Sequence, residues 1–178
     1  MWNKYHQSAA STNFSALTLE GVWQVDAKND YRVWRERTER PLLVLVRTLS
    51  GAGKLTDDLG RTVFLAPGTL FCIEESRVRF YQTLESDWRF WWFLVNPPSG
   101  TLPVPLSRVM RMTVQPDEGD EMREIAGLIT HPRYAQRAYG MARFTGLVHG
   151  WLAAWRGARR RGPYDENIEA LVSKLRAN

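Results

Sequence analysis

Between residues 42 and 96 the apolar residues come in runs of strand length, each closed by a turn signal. That rhythm restricts the fold more than any other feature of the chain. Residues 22 onward already alternate like a strand. Pro41 precedes the run 42–49, rich in Leu and Val; Gly51 and Gly53 close it, and Asp57, Asp58 and Gly60 mark a turn. Residues 62–65 form a short apolar run, Pro67-Gly68 a turn, and 69–73 a third run. A fourth covers 78–81. The fifth, 88–95, stops at Asn96-Pro97-Pro98, because proline has no N–H to give to a ladder. Strands spaced about ten residues apart and separated by turns predict an antiparallel sandwich or barrel.

After Pro103 and Pro105, which form a rigid connector, and a last short strand at 109–114, the period changes to that of a helix. Pro116-Asp117-Glu118 reads as a helix start, because acidic groups complement the positive end of the dipole. Met122, Ile125, Ala126 and Ile129 follow at helical spacing, and His131-Pro132 ends the helix. A longer helix is predicted over 135–156 with two apolar stripes. Met141, Thr145, Val148, Leu152 and Trp155 follow the four-three spacing of a coiled-coil seam. Phe144, Leu147, Trp151 and Ala154 make the neighbouring stripe. A helix with two apolar faces needs two partners. One face is expected on the sheet and the seam on a second copy, giving a homodimer. Residues 157–163 read as a Gly, Arg and Pro linker. Residues 164–176 read as an amphipathic helix with Ile168, Leu171, Val172 and Leu175 on one face. Nothing follows to cover that face, so the chain reads as cut from something longer. Residues 1–19 read as a polar, flexible arm.

With 44% hydrophobic and 24% charged residues, the composition is that of a soluble globular domain. No apolar run reaches the ~18 residues of a membrane span, and residues 1–15 lack the apolar core of a signal peptide. The single cysteine, Cys72, rules out an internal disulfide framework and fits a reducing compartment, with the cytoplasm expected. A net charge of +5 permits an anionic partner without naming one. The dense run Arg156, Arg159, Arg160 and Arg161 reads as a solvated linker.

The histidines are three: His6 in the arm, His131 before a proline, and His149 on the long helix. None lies on a predicted strand, so no metal and no cofactor are expected in the β region. Glu74 and Glu75 point to opposite faces of a strand, are a poor catalytic pair, and read as solvated loop charges. Cys72, between Phe71 and Ile73, reads as an inert buried thiol. No phosphate loop or nucleophile motif is present. Aromatics are abundant instead. Alternation places Trp88, Phe90, Trp92 and Leu94 on one face, as either closed core or the wall of a cavity.

Several pieces resemble one family in order and spacing. They are Arg35 before the first long strand, Leu49-Ser50-Gly51-Ala52-Gly53 at its end, and Gly60-Arg61 at the turn. Then come Leu65-Ala66-Pro67-Gly68-Thr69-Leu70 and the strand Trp88-Arg89-Phe90-Trp91-Trp92-Phe93 running into Pro97. Together they resemble the effector-binding and dimerisation half of AraC-type bacterial transcription regulators. Many relatives carry a histidine where this chain has Arg79, and Glu74-Glu75-Ser76 replaces their usual stretch before it. Arg79 reads as pairing with Glu74 or Glu85.

The resemblance implies a cupin-like antiparallel β-barrel followed by a C-terminal helix pair. It divides the chain into an arm (1–20), an effector-binding barrel (21–115), dimerisation helices (116–156), and a linker with the start of a truncated helix-turn-helix domain (157–178). It implies ligand contacts at Arg35, Tyr81, Phe90 and Trp92, a small-molecule effector such as a sugar or related metabolite, and DNA contact only through the missing C-terminal domain. No catalysis and no membrane contact are expected. The alternatives are a metal-free cupin enzyme such as a sugar epimerase, with Tyr81 as base, and a stand-alone carbohydrate-binding module.

Overall fold

The structure is a computed structural model and describes residues 17–96 and 104–160. Its strands are β1 (Thr18–Lys28), β2 (Arg32–Trp34), β3 (Leu43–Asp57), β4 (Thr62–Leu65), β5 (Thr69–Glu74), β6 (Val78–Asn96) and β7 (Arg108–Arg111). Two helices follow, α1 (Glu118–Ile129) and α2 (Tyr134–Arg160). The fold is mostly antiparallel sheet with a helix pair after it, as the turn-punctuated pattern and the later change of period predict.

One sheet holds all seven strands, in the order β1-β6-β3-β5-β7, with β2 added beside β6 and β4 beside β3. The two long central strands pair from Leu43↔Val95 to Asp57↔Val78, interrupted where residues 84–87 of β6 have no partner on β3. The N-terminal part of β3 is bordered by β5, and its C-terminal part by β4. The matching parts of β6 are bordered by β1 and β2. The sheet therefore has two arms, and it folds over on itself. Val44, Val46 and Phe71 from one arm and Leu55, Leu65 and Tyr81 from the other join a single buried cluster.

Two expected strand ends are bends instead. The sequence pattern breaks at Gly51 and Gly53, yet β3 runs on, with register shifts at Thr48/Ser50 and Gly51/Gly53. Gly51 has φ +66°, which a side chain tolerates poorly, and a Cβ on Gly53 would lie 2.3 Å from the Trp88 ring. These glycines let Trp88 lie across the bend, where its Nε1 donates to Thr48 Oγ1 at 3.1 Å. The runs 78–81 and 88–95 are likewise one strand, β6. A bulge breaks the period of two without ending the ladder.

The outer face of the same arm is also buried. Leu43, Leu45, Trp91 and Phe93 pack with Met122 and Ile125 of α1 and with Phe144, Val148, Trp151 and Leu152 of α2. The seam thus lies on the sheet together with Phe144 and Trp151 of the neighbouring stripe, whereas Leu147 is half-buried and Ala154 exposed. This corrects the expectation that the seam faces a second subunit. Thr145, Val148, Leu152 and Trp155 are buried in their own chain, and Met141 packs against the same cluster. Spacing shows that a face is apolar; it does not say whose surface covers it. Leu17 and Leu19 are not part of a free arm either. Both are buried, and their backbone N–H groups donate to Thr145 Oγ1 at 3.1 Å and Met141 Sδ at 3.4 Å. Residues 157–160 continue α2, so the linker expected from 157 does not begin there. The rest of that linker, the amphipathic helix at 164–176 and the arm before residue 17 lie outside the described residues.

Arg47, on the outer face, is fully buried under the start of α1. Its Nε and Nη2 reach Glu118 Oε1 and Oε2 at 2.5 and 2.8 Å. The Gln115 N–H donates to Glu118 Oε2 at 3.1 Å, and the guanidinium lies 5.6 Å from the Trp151 ring centroid. This bidentate pair fixes the first residue of α1 to the middle of the sheet.

Candidate effector cavity

The inner face of the sheet encloses a cavity of about 330 Å³. Alternation along β6 brings Phe90, Trp92 and Leu94 to it, and β1 supplies Trp23 and Val25 through the register pairs Trp23↔Trp92 and Val25↔Phe90. Tyr81 enters from the other arm. Tyr31, at the turn between β1 and β2, completes the aromatic wall with its ring 6.1 Å from Tyr81. Tyr81 stacks on Trp92 at 4.8 Å with the planes 29° apart.

The polar end comes from segments beside the strands. Arg35 follows β2, and its N–H donates to the Arg79 carbonyl at 2.8 Å, which holds the residue beside β6. Its guanidinium lies 5.5 Å from the Trp92 ring centroid, within range of a cation–π contact. Glu75 opens the short 3-10 turn Glu75–Arg77 after β5, and its N–H donates to the Leu42 carbonyl at 2.8 Å. Its carboxylate is fully buried. Oε1 accepts from Nη2 of Arg35 at 2.7 Å and from Nη2 of Arg40 at 2.9 Å, while Oε2 has no hydrogen-bond partner.

All four residues expected at the ligand site, Arg35, Tyr81, Phe90 and Trp92, line this one cavity. Sequence reasoning missed Glu75, Arg40, Trp23 and Tyr31. Glu75 corrects an expectation, since it is a buried partner of two arginines and no solvated loop charge. A signal was present: Phe71 and Ile73 face the interior, and residue 75 shares their parity. Trp23 is legible in the same way from Val25 and Ala27. Arg79 donates to the Ser76 and Val78 carbonyls and not to Glu74 or Glu85 as expected.

The titratable groups here suit binding better than proton transfer. Burial, reinforced by Tyr31, pushes the Tyr81 phenol above its ordinary range against the opposing pull of Arg35. Tyr81 therefore stays protonated near neutral pH, which makes it a poor general base. Burial pushes the Cys72 thiol up to about 12, so it is an inert thiol. His131 caps the end of α1, where its Nδ1 accepts from the Arg133 N–H, and His149 lies on α2; both are away from the cavity. His6 lies outside the described residues.

No family model matches the chain. It is 24% identical over 169 residues to an uncharacterized HTH-type transcriptional regulator of Escherichia coli, YidL, a match covering 92% of this chain and 57% of that protein. The chain thus spans little more than half the length of that relative. Among solved structures, apo ToxT of Vibrio cholerae aligns over 80% of this chain and 58% of its own, at 11% identity and TM-score 0.48. The cupin domain of an XRE family transcriptional regulator from Enterobacter cloacae aligns over 48% of this chain and 99% of its own, at 13% identity and TM-score 0.39. Most of this chain is similar in sequence to a transcription regulator.

Proposed function

We propose that this chain is the effector-sensing part of a bacterial transcription regulator of the AraC type, with a small molecule bound in the inner cavity and DNA contacted by a further domain. The observation that carries the proposal is the two-sided construction of β6. Phe90 and Trp92 line the cavity, while their neighbours Trp91 and Phe93 pack outward. The Phe93 ring lies 5.0 Å from Phe144 and 6.1 Å from Trp151 of α2. A ligand that shifts the inner side chains thus acts on a strand that α2 rests on directly. A difference in affinity between two α2 placements then biases one over the other.

Arg35, Tyr81, Phe90 and Trp92 are the ligand contacts in this reading. Sugars and related polar metabolites belong to the candidate effectors. A metal-free epimerase is disfavoured, because Tyr81 is held protonated and the carboxylate that lines the cavity, Glu75, is ion-paired with Arg35 and Arg40. Self-association belongs to the proposal as the resemblance implies it, and sedimentation at about ten micromolar measures it. The test of sensing is a thermal-shift screen of small metabolites. A ligand at 100 times its dissociation constant raises stability by about 2.7 kcal/mol. Stabilisation that Phe90→Ala and Arg35→Ala abolish in folded protein supports the reading. A chain that no compound stabilises refutes it.

A further inference from the structure

The polar end of the cavity specifies more than a small ligand. Glu75 gives one carboxylate oxygen to two guanidiniums and leaves the other, fully buried, without a partner. A buried acceptor of this kind is costly unless something donates to it, so its occurrence beside a cavity calls for a donor from outside the chain. Charge gives a second constraint. Arg35 and Arg40 against Glu75 make two positive charges and one negative, leaving one positive charge unbalanced at this end. Each guanidinium has five N–H donors, and the contact with Glu75 uses one nitrogen of each, so both forks can still engage an anion.

The two requirements are close in space, because the arginines meet Oε1 and the unmet oxygen is Oε2 of the same group. A ligand answering both must hold its anionic group and its donor on neighbouring atoms. The rest of the cavity is small and largely aromatic, walled by Trp23, Val25, Phe90, Trp92 and Leu94 beside the Tyr31 and Tyr81 rings.

We infer that the cavity selects a compact carboxylic acid with a hydroxyl or amine on the adjacent carbon and an apolar body. The inference rests on the reading of the cavity as an effector site. The ligand carboxylate takes the free edges of Arg35 and Arg40. Its α-substituent donates to Glu75 Oε2, and its body lies along the aromatic wall. A neutral sugar supplies the donor and leaves the positive charge unanswered. A plain alkyl or aryl acid answers the charge and leaves Glu75 unpaired.

Calorimetric titration of the whole chain with five probes tests this: phenyllactate, phenylalanine, 3-phenylpropionate, phenylalaninol and arabinose. Phenyllactate or phenylalanine is expected to bind, and which of them does so identifies the donor as hydroxyl or amine. Removing the donor (3-phenylpropionate) or the carboxylate (phenylalaninol) is expected to weaken binding about tenfold or more, near 1.4 kcal/mol. Glu75→Gln is expected to shrink the preference for the donor-bearing acid and to tighten 3-phenylpropionate, since the carboxylate repulsion is gone. Arg40 is largely exposed, so Arg40→Gln keeps the fold and is expected to weaken every acid while leaving phenylalaninol unchanged; it carries the test if Glu75→Gln does not fold. Equal binding of phenyllactate, phenylalanine and 3-phenylpropionate overturns the inference. So does tight cavity binding of arabinose or of a long-chain fatty acid, but either result leaves the sensing role standing. No binding by these probes or by any compound of a broad metabolite screen overturns both.

Discussion

Two buried carboxylates sit on opposite sides of the same sheet, and they are completed differently. On the outer side, both oxygens of Glu118 are engaged by Arg47, and Oε2 also accepts a backbone N–H. On the inner side, Glu75 has two cations on one oxygen and none on the other. Arg47 is sealed from water, whereas Arg35 is 27% and Arg40 58% exposed. The carboxylate of the first pair is finished within the chain and holds α1 on the sheet, although Arg47 Nη1 stays buried without a partner. The second is finished only when something enters the cavity. Burial of charge is common to both; the difference between structure and site lies in which lone pairs remain unmet beside a void.

The largest effect is expected from breaking the finished pair. Glu118→Ala leaves Arg47 buried without a counter-charge, and removing one partner of a buried pair costs about 3–5 kcal/mol. Urea titration measures it. A loss under 1 kcal/mol would show that water reaches Arg47 and that the two sides are less different than their burial indicates. Next comes the bend that shapes the inner side. In Gly53→Ala the new methyl meets the rigid Trp88 ring. Overpacking of this kind costs about 1–3 kcal/mol, and Trp88 fluorescence is expected to shift with it.

Glu75→Gln is the counterpart of Glu118→Ala and is expected to cost less, about 1 kcal/mol or under, because its arginines can turn to water. If it costs as much as Glu118→Ala, Glu75 is a structural pair and its unmet oxygen carries no functional meaning.

The smallest effect is one of pH, at the β3–β4 turn. Burial pulls the Asp57 carboxyl up. The Arg61 side chain and the N–H groups of Arg61 and Leu59 more than offset this, so Asp57 titrates below the ordinary carboxylate range. A lowered folded-state pKa means stability that is in place above the unfolded value, about 3.9, and lost as pH falls through the folded one. The melting temperatures of wild type and Asp57→Asn are therefore expected to differ at neutral pH and to converge below about pH 4. A constant difference would refute the assignment.

What could be read beforehand followed from local rules. The turn at Asp57, Asp58 and Gly60, the Pro67-Gly68 turn and the start of α1 at Glu118 carry their own backbone chemistry, so neighbouring residues decide them. The face shared by Trp88, Phe90, Trp92 and Leu94 follows from the pleat alone. The same parity placed Glu75 inside, but a glutamate at a strand end is ordinarily solvated, and only two arginines distant in sequence make its burial tolerable.

The sequence by itself therefore determined the class of fold and the inner face of β6, because alternation and turn chemistry act within a few residues; the expectation of Arg35, Tyr81, Phe90 and Trp92 around a ligand came from the family resemblance. Only the tertiary structure decided that the α2 seam rests on its own sheet, that β3 and β6 bend through their bulges without stopping, and that Arg35, Arg40 and Glu75 meet. Each of these depends on which distant surface arrives at an apolar or charged group. A pattern shows that such a group needs a partner; the partner's identity is settled when the chain closes on itself.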